Sequence, residues 1–557
     1  MNALARHARP VALLLAAALC ACASTSPAPS SLPASSISPA SPLPRTRAEL
    51  TNYLETSHYA DVVAFLDSLR ALHAPLAFGS IGRSFEGRDI PYVIASRPLV
   101  HTAAEARASG KPIVYVQGNI HAGEVEGKEA LLALVRDLTF ARGANVLDSI
   151  VLVAVPIYNA DGNEKFGPQE RQRTEQNGPE LVGTRANAQG FDLNRDYVKA
   201  EAPETRASLA MFDAWDPDVF VDLHTTDGSF HGYALTYSPS LTPAAPLGEY
   251  TRTLLAELRK RVRARDGYDT FDYGNFNDGS GREVSTDTVH DGWYTYDHRP
   301  RFGTNYYGLR NRVAVLSEAY SHDPFERRVK STYAFTRELL SLVAEHAKEL
   351  KERTARTPDM SVPRGLVATA VPIRAGFPEH SPSQPVTYEI LVRTGDSSRT
   401  QPGVPRGLRR TGRFVTREMP VFDRFVATLD RPVVGQYIVS GRDTATLRRL
   451  ALHGVEARPL EGALPRSLEE FVIDSVVRAT RPFQGHLETR VFGQWRPVAG
   501  GASIVDPWIV DAAAKPSLVM YLLDPESDDS FGTWDLFASP LAPGVHPVRR
   551  VTLRTLR

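Results

Sequence analysis

Val114-Tyr-Val-Gln-Gly-Asn-Ile-His-Ala-Gly-Glu-Val-Glu-Gly-Lys128 is the stretch that decides the fold. The apolar run from Ile113 to Val116 reads as a short buried strand. Gly118 breaks it, and a helical pattern follows from Val125 to about Phe140. His121 and Glu124 therefore stand in the turn between a strand and a helix, where ligands on one side can converge on one ion. A second apolar run, Val219-Phe-Val-Asp-Leu-His224, ends on another histidine. Two His and one Glu are a common catalytic zinc set, with the fourth position left for water. His-x-x-Glu alone is a weak signal, because Glu is a common residue. Position strengthens it: His121 and His224 both follow apolar strands, and open α/β sheets bind ligands beyond the carboxyl ends of their strands.

Outward from this stretch, strand and helix patterns alternate between about residues 45 and 356. Arg47 to Leu72 has helical spacing. Ser84-Phe-Glu-Gly-Arg88 separates two extended runs as a hairpin turn would. Ile150–Ile157 and Arg312–Ser317 read as strands. Glu201–Trp215, Leu247–Arg263 and Phe325–Leu350 read as helices. The alternation implies an α/β domain, a mixed, mostly parallel sheet with flanking helices.

Residues 1–44 stand apart. Arg6 and Arg9 precede a short apolar run, Val11–Leu19, which suits a signal-peptide core and is too short to span a membrane. Leu19-Cys20-Ala21-Cys22 resembles a bacterial lipobox, although a second Cys two residues before Cys22 is unusual. Ala21-Cys22-Ala23 also reads as an ordinary cleavage site. The expectation is export, as an outer-membrane lipoprotein held by a lipid on Cys22 or as a free periplasmic or secreted protein. Both cysteines of the chain lie in this leader, so the mature protein has no disulfide and no cysteine ligand. Residues 23–44, mostly Ser, Pro and Ala, form a flexible tether. The 64 basic and 64 acidic residues balance, and with no basic stripe there is no case for nucleic acid.

Beyond Thr357-Pro-Asp-Met-Ser-Val-Pro363, which reads as a linker, residues 357–557 are rich in Pro and Gly with short alternating runs. A mainly β region is expected, with Ala445–Leu452 helical, Leu468–Val477 a second helix candidate and Leu518–Leu523 a buried strand. The acidic turn Asp524–Asp529 reads as solvated or as a calcium site. This region could shield a cleft, dock to substrate or to a cell wall, or simply prop the first domain.

Further sites mark the first domain. Asn159-Ala-Asp-Gly162 ends a strand, where a plain turn would also use these residues. Asp192-Leu-Asn-Arg195 lies in a polar loop, Arg185 in a Gly- and Asn-rich one. Glu318 follows the strand at 312–317, where an unpaired carboxylate is costly away from a site mouth. Taken in order, these motifs resemble the zinc carboxypeptidase family of carboxypeptidase A type (peptidase family M14) over roughly residues 55–350. The resemblance implies one zinc ion held by His121, Glu124 and His224. It implies that Asp192 orients the first zinc histidine, that Asn194 and Arg195 hold the free carboxylate of a peptide, and that Glu318 is the general base. Arg185 best fits the arginine that polarises the scissile carbonyl, with Arg171 and Arg173 as alternatives. Tyr296 is taken as the tyrosine over the substrate, against Tyr294, Tyr306 and Tyr307. Asp196 stands where an asparagine is usual, and its charge would weaken anion binding at Arg195. His231, His290, His298 and His322 are expected to be surface or loop histidines, and Glu126 and Lys128 to be solvated.

The function so implied is a zinc metallocarboxypeptidase acting on peptides with a free C-terminal carboxylate. A close alternative is a zinc amidase or peptidase on peptidoglycan stem peptides or N-acyl amino acids. A rival of another class is a binding protein with a dead site on the same fold; the full set of ligands plus Glu318 argues against it.

Overall fold

The structure, a computed structural model, describes residues 43–226, 228–276, 291–355, 370–395, 404, 406–498 and 504–552. The leader, nearly all of the tether, the expected linker at 357–363 and His290 lie outside the described residues.

Eight strands form the central sheet: β1 (Leu76–Arg83), β2 (Asp89–Ala95), β3 (Ile113–Gly118), β4 (Val151–Val155), β5 (Val219–Thr225), β6 (Leu235–Pro239), β7 (Thr270–Asp272) and β8 (Val313–Ala319), in the order β1-β2-β4-β3-β5-β8-β6-β7. The inner four, β4, β3, β5 and β8, are mutually parallel. Antiparallel neighbours flank them on both sides. The inner strands are apolar at nearly every position because both faces are covered. Val114, Val116, Val221 and Val315 pack under helices Tyr59–Ala71, Glu126–Phe140, Gly248–Asp266 and Phe325–Glu345. Tyr115, Val153, Phe220 and Ala314 face helix Pro203–Trp215 on the other side. This is the expected α/β architecture, with the carboxyl ends of β3, β5 and β8 side by side.

The expected helices break or trim at identifiable points. Arg47–Leu72 divides into Arg47–Leu50 and Tyr59–Ala71, and the C-terminal helix divides at His346. Asn159 caps a short helix, Ala160–Glu164, by accepting from the Gly162 N–H at 2.9 Å. Asp161 there is buried and accepts from Ser84 Oγ at 2.6 Å and the Glu86 N–H at 2.7 Å, tying the β1–β2 hairpin down.

The region after residue 370 is mainly β, with two assignments reversed. Leu468–Arg478 is a strand, paired along its length with Thr489–Pro497. Leu518–Leu523 is the body of a buried helix, Pro516–Leu523. This region is built into the first. Trp293–Tyr294 pairs in parallel with Val421–Phe422. One apolar cluster runs from Tyr115 and Phe212 through Tyr306 to Tyr437, Leu518 and Trp534.

Candidate active site

The turn after β3 is shaped by Gly118 and Asn119. A Cβ on Gly118 would stand 3.0 Å from the backbone of Gly127, so glycine lets the following helix close on the strand. Asn119 adopts φ +66°, a left-handed conformation that asparagine tolerates. Its side-chain amide donates to the carbonyls of Ala122 and Glu124, both at 3.3 Å. The turn so fixed presents His121 and Glu124 together.

His121, Glu124 and His224 form the one His/Asp/Glu group among the described residues whose ligand atoms all lie within 4.8 Å of one another. Both imidazoles turn Nδ1 toward Glu124, at 2.9 Å for His121 and 3.0 Å for His224. Their Nε2 atoms each meet a further carboxylate, Asp192 at 3.0 Å from His121 and Asp222 at 3.0 Å from His224. A metal-ligating imidazole held from behind by a carboxylate is the arrangement that fixes ring orientation and raises ligand basicity. Burial alone would raise the Glu124 pKa, but His121, Arg173 and His224 hold it well below the ordinary range. Asp192 is held low in the same way, by His121, Arg185 and Arg195 against its burial. Burial opposes the charged form of His224, yet Asp222 and Glu124 raise its pKa well above normal. Three carboxylates around two imidazoles make a buried, electron-rich donor set, and these residues fit zinc.

Parallel pairing sets Glu318 on β8 directly beside His224 on β5. A small cavity of about 80 Å³ joins them. Its lining includes His121, Glu124, His224, Arg185, Asn194, Arg195, Tyr296 and Glu318. The sequence-assigned residues thus come together at one place. Arg185 donates from Nε and Nη2 to Asp192, at 3.0 and 2.9 Å, and its side chain is 36% exposed toward the cavity mouth. Arg173 is instead sealed in, with Nη1 3.0 Å from Glu124 and Nη2 donating to the carbonyls of Thr225 and Thr226. Arg171 is exposed on the short helix Gln169–Gln172. Asn194 Oδ1 accepts from the Gly303 N–H at 2.9 Å. The Arg195 guanidinium lies 3.9 Å above the Phe302 ring. Tyr296 lines the cavity, whereas Tyr294 stacks on Phe422, Tyr307 stacks on Phe212 and the Tyr306 hydroxyl meets His453.

Several expectations are corrected here. Asp196 spends its charge away from Arg195, accepting from the Glu201 and Ala202 N–H groups ahead of helix Pro203–Trp215, with Lys199 Nζ 3.9 Å away. Glu126 and Lys128 are buried: Glu126 contacts Arg328 at 3.3 Å and Thr225, while Lys128 Nζ donates to Asn163 at 2.6 Å and to the Ser57 carbonyl. Burial lowers the Lys128 pKa to about 8. His231, His298 and His322 are buried too, the first against Tyr320 and the last stacked on Phe230. The turn at 524–529 is not solvated: Asp524 and Asp529 are fully buried, and Asp529 pairs with Arg301 at 2.9 Å. Asp222 carried a readable signal that the sequence reading missed. It is a lone acid in an apolar strand, two residues before His224 and so on the same face.

Residues 62–308 match the family model described as zinc carboxypeptidase. "Probable carboxypeptidase 2" of Arthroderma benhamiae is 31% identical over 144 residues, 26% of this chain and 24% of that protein. "Carboxypeptidase 2" of Trichophyton tonsurans is 23% identical over 497 residues, 84% of this chain and 81% of that protein. Among solved structures, a metallo-carboxypeptidase from Burkholderia cenocepacia is 17% identical with a TM-score of 0.39, covering 52% of this chain and 70% of that one.

Proposed function

From residues 62–308, a domain of the zinc carboxypeptidase family, we propose that the protein is a metallocarboxypeptidase that hydrolyses C-terminal peptide bonds. The observation that carries the reading is the convergence of His121, Glu124, His224, Arg185, Asn194, Arg195, Tyr296 and Glu318 on one cavity.

His121, Glu124 and His224 would hold the zinc, with Asp192 and Asp222 orienting the two rings. Bound there, zinc supplies Lewis acidity, which acidifies a water and polarises a carbonyl. Glu318 accepts the water's proton and returns it to the leaving amine. Arg185, at the cavity mouth, donates to the oxygen on which charge develops. Arg195 and Asn194 take the substrate's terminal carboxylate, Arg195 through two parallel N–H donors. Phe302 beneath the guanidinium holds its plane by a cation–π contact. Tyr296, packed edge-on to Phe302 at 5.0 Å, closes the substrate side. Such a site takes peptides with a free C-terminal carboxylate.

The leader, residues 1–22, supports export, either with a lipid on Cys22 or as a free periplasmic or secreted protein. Substituting Arg195 by Ala tests the carboxylate role. KM for peptides should rise by one to two orders of magnitude, with zinc content unchanged, since a charge-assisted bidentate contact contributes about 1.5–3 kcal/mol. An unchanged KM sinks that assignment.

A further inference from the structure

Tyr296 and Phe302 stand on segment 295–303, which forms one side of the metal cleft. Behind it lies a cavity of about 650 Å³, lined by Tyr296, His298 and Arg299 on one side and by Phe377, Phe492 and Asp528 of the C-terminal region on the other. Close packing cannot brace a segment on the side where partner atoms are missing. Polar ties brace it instead, and many come from the C-terminal region. The Thr295 N–H donates to the Phe422 carbonyl at 3.0 Å. His298 Nε2 lies 3.1 Å from the Asp528 carboxylate. Arg299 and Arg301 reach Glu488 at 3.4 and 2.6 Å. The Arg301 N–H donates to Asp529 at 2.7 Å, and its Nη2 to the same carboxylate at 2.9 Å. Trp534 Nε1 donates to Asp529 at 2.8 Å, and the Arg301 guanidinium sits 4.3 Å over the Trp534 ring. From the catalytic side, Asn305 holds the carbonyls of Asp297 and Arg299, and Asn194 holds the Gly303 N–H.

We propose that Asp529, supported by Glu488, is a positioning residue of the substrate pocket. Through Arg301 it fixes segment 295–303, and through Phe302 it sets the plane of the Arg195 guanidinium. The C-terminal region is then part of the substrate site and not a prop. The idea rests on the carboxypeptidase reading for its kinetic consequence, but its structural half stands without it. Asp529 and Arg301 are both buried. Neutralising Asp529 leaves Arg301 with one fewer buried countercharge, a costly state that movement of the segment relieves.

The test uses the full-length, zinc-loaded protein and its Asp529→Asn and Glu488→Gln variants. Hydrogen exchange should quicken by about tenfold or more at the amides of 295–303 in Asp529→Asn and leave β3 and β5 unchanged. Zinc stoichiometry should stay at the wild-type value. KM for a peptide, and the inhibition constant of the amino acid it releases, should each rise by about tenfold or more, with a smaller rise in Glu488→Gln. A purely structural bridge would lower Tm and leave both constants untouched below the transition. Constants within about twofold of wild type, despite faster exchange at 295–303, overturn the proposal. Unchanged exchange there overturns it as well. If Asp529→Asn does not fold, Glu488→Gln decides by the same readouts, since Glu488 is a third exposed. A wild-type protein with no turnover on any peptide counts against the carboxypeptidase reading, and the exchange measurement still decides the structural half, that Asp529 fixes segment 295–303.

Discussion

Asp222 shows what single residues contribute at this site. It stands on β5 two positions before His224, with its carboxylate 3.0 Å from the ring nitrogen that faces away from Glu124. Asp192 does the same for His121 from the loop ahead of Leu193–Arg195. Replacing Asp222 by Asn should weaken zinc binding about 10–100-fold without unfolding the sheet, measured by competition with a chelator. Unaltered affinity would mean that His224 is oriented by its strand alone. That His121, Glu124, His224, Glu318 and the Asp-x-Asn-Arg group meet at one cleft was legible, because each is a chemical residue at a strand end or in a fixed motif. The states of Glu126, Lys128, His231 and His322 were not. Their burial depends on partners such as Arg328, Asn163, Tyr320 and Phe230, which are distant in sequence or lie on other elements. Charge and local spacing carry no record of such partners.

Secondary-structure elements were legible where periodicity was long. β3, the helix after it, β5 and β8 lie within a few residues of the pattern that announced them. Short apolar runs were ambiguous, as the physics requires. Leu518–Leu523 looks like a buried strand, but Pro516 opens it as a helix, a position where proline is favoured. Leu468–Arg478, rich in β-branched residues, is a strand. The turn that follows helix Pro516–Leu523 carries a pH signature. Asp524 is fully buried, and desolvation raises its pKa to about 6. Its folded-state pKa lies above the unfolded value of about 3.9. The folded state therefore holds this proton more tightly, and stability from that source is full below about pH 4 and lost as pH rises through about 6. Asp524→Asn keeps an acceptor for the Glu526 N–H and removes the buried charge. It should raise stability at pH 8 by about 1–3 kcal/mol and have little effect near pH 4, read from denaturation midpoints. An equal effect at both pH values would refute the burial argument.

At the scale of the whole molecule, the boundary near residue 356 is a boundary in sequence pattern only. The parallel pairing of Trp293–Tyr294 with Val421–Phe422, the Tyr306–His453 contact and the shared apolar cluster bind both parts into one unit. A chain cut after residue 356 would strip Tyr306 of His453 and Trp293 of its parallel partner strand. It should fail to give a soluble protein with a cooperative unfolding transition, which expression and calorimetry would show. A stable, zinc-binding fragment would contradict this. The shift in composition after 356 announced a second region, but not that its strands and acids are keyed to loops of the first. Pairing between segments more than 100 residues apart leaves no local pattern.

The central claim is tested most directly on the purified chain from residue 45 onward, alongside Glu318→Gln. Zinc would be counted, and products from mixed peptides and muropeptides followed by mass spectrometry. The expected result is one zinc per chain in both proteins and stepwise loss of single residues from peptide C-termini by the wild type. Turnover should fall by about 10²–10⁴-fold in the variant, the usual contribution of a general base. No zinc, zinc with no turnover on any substrate, or full activity in Glu318→Gln would contradict the account.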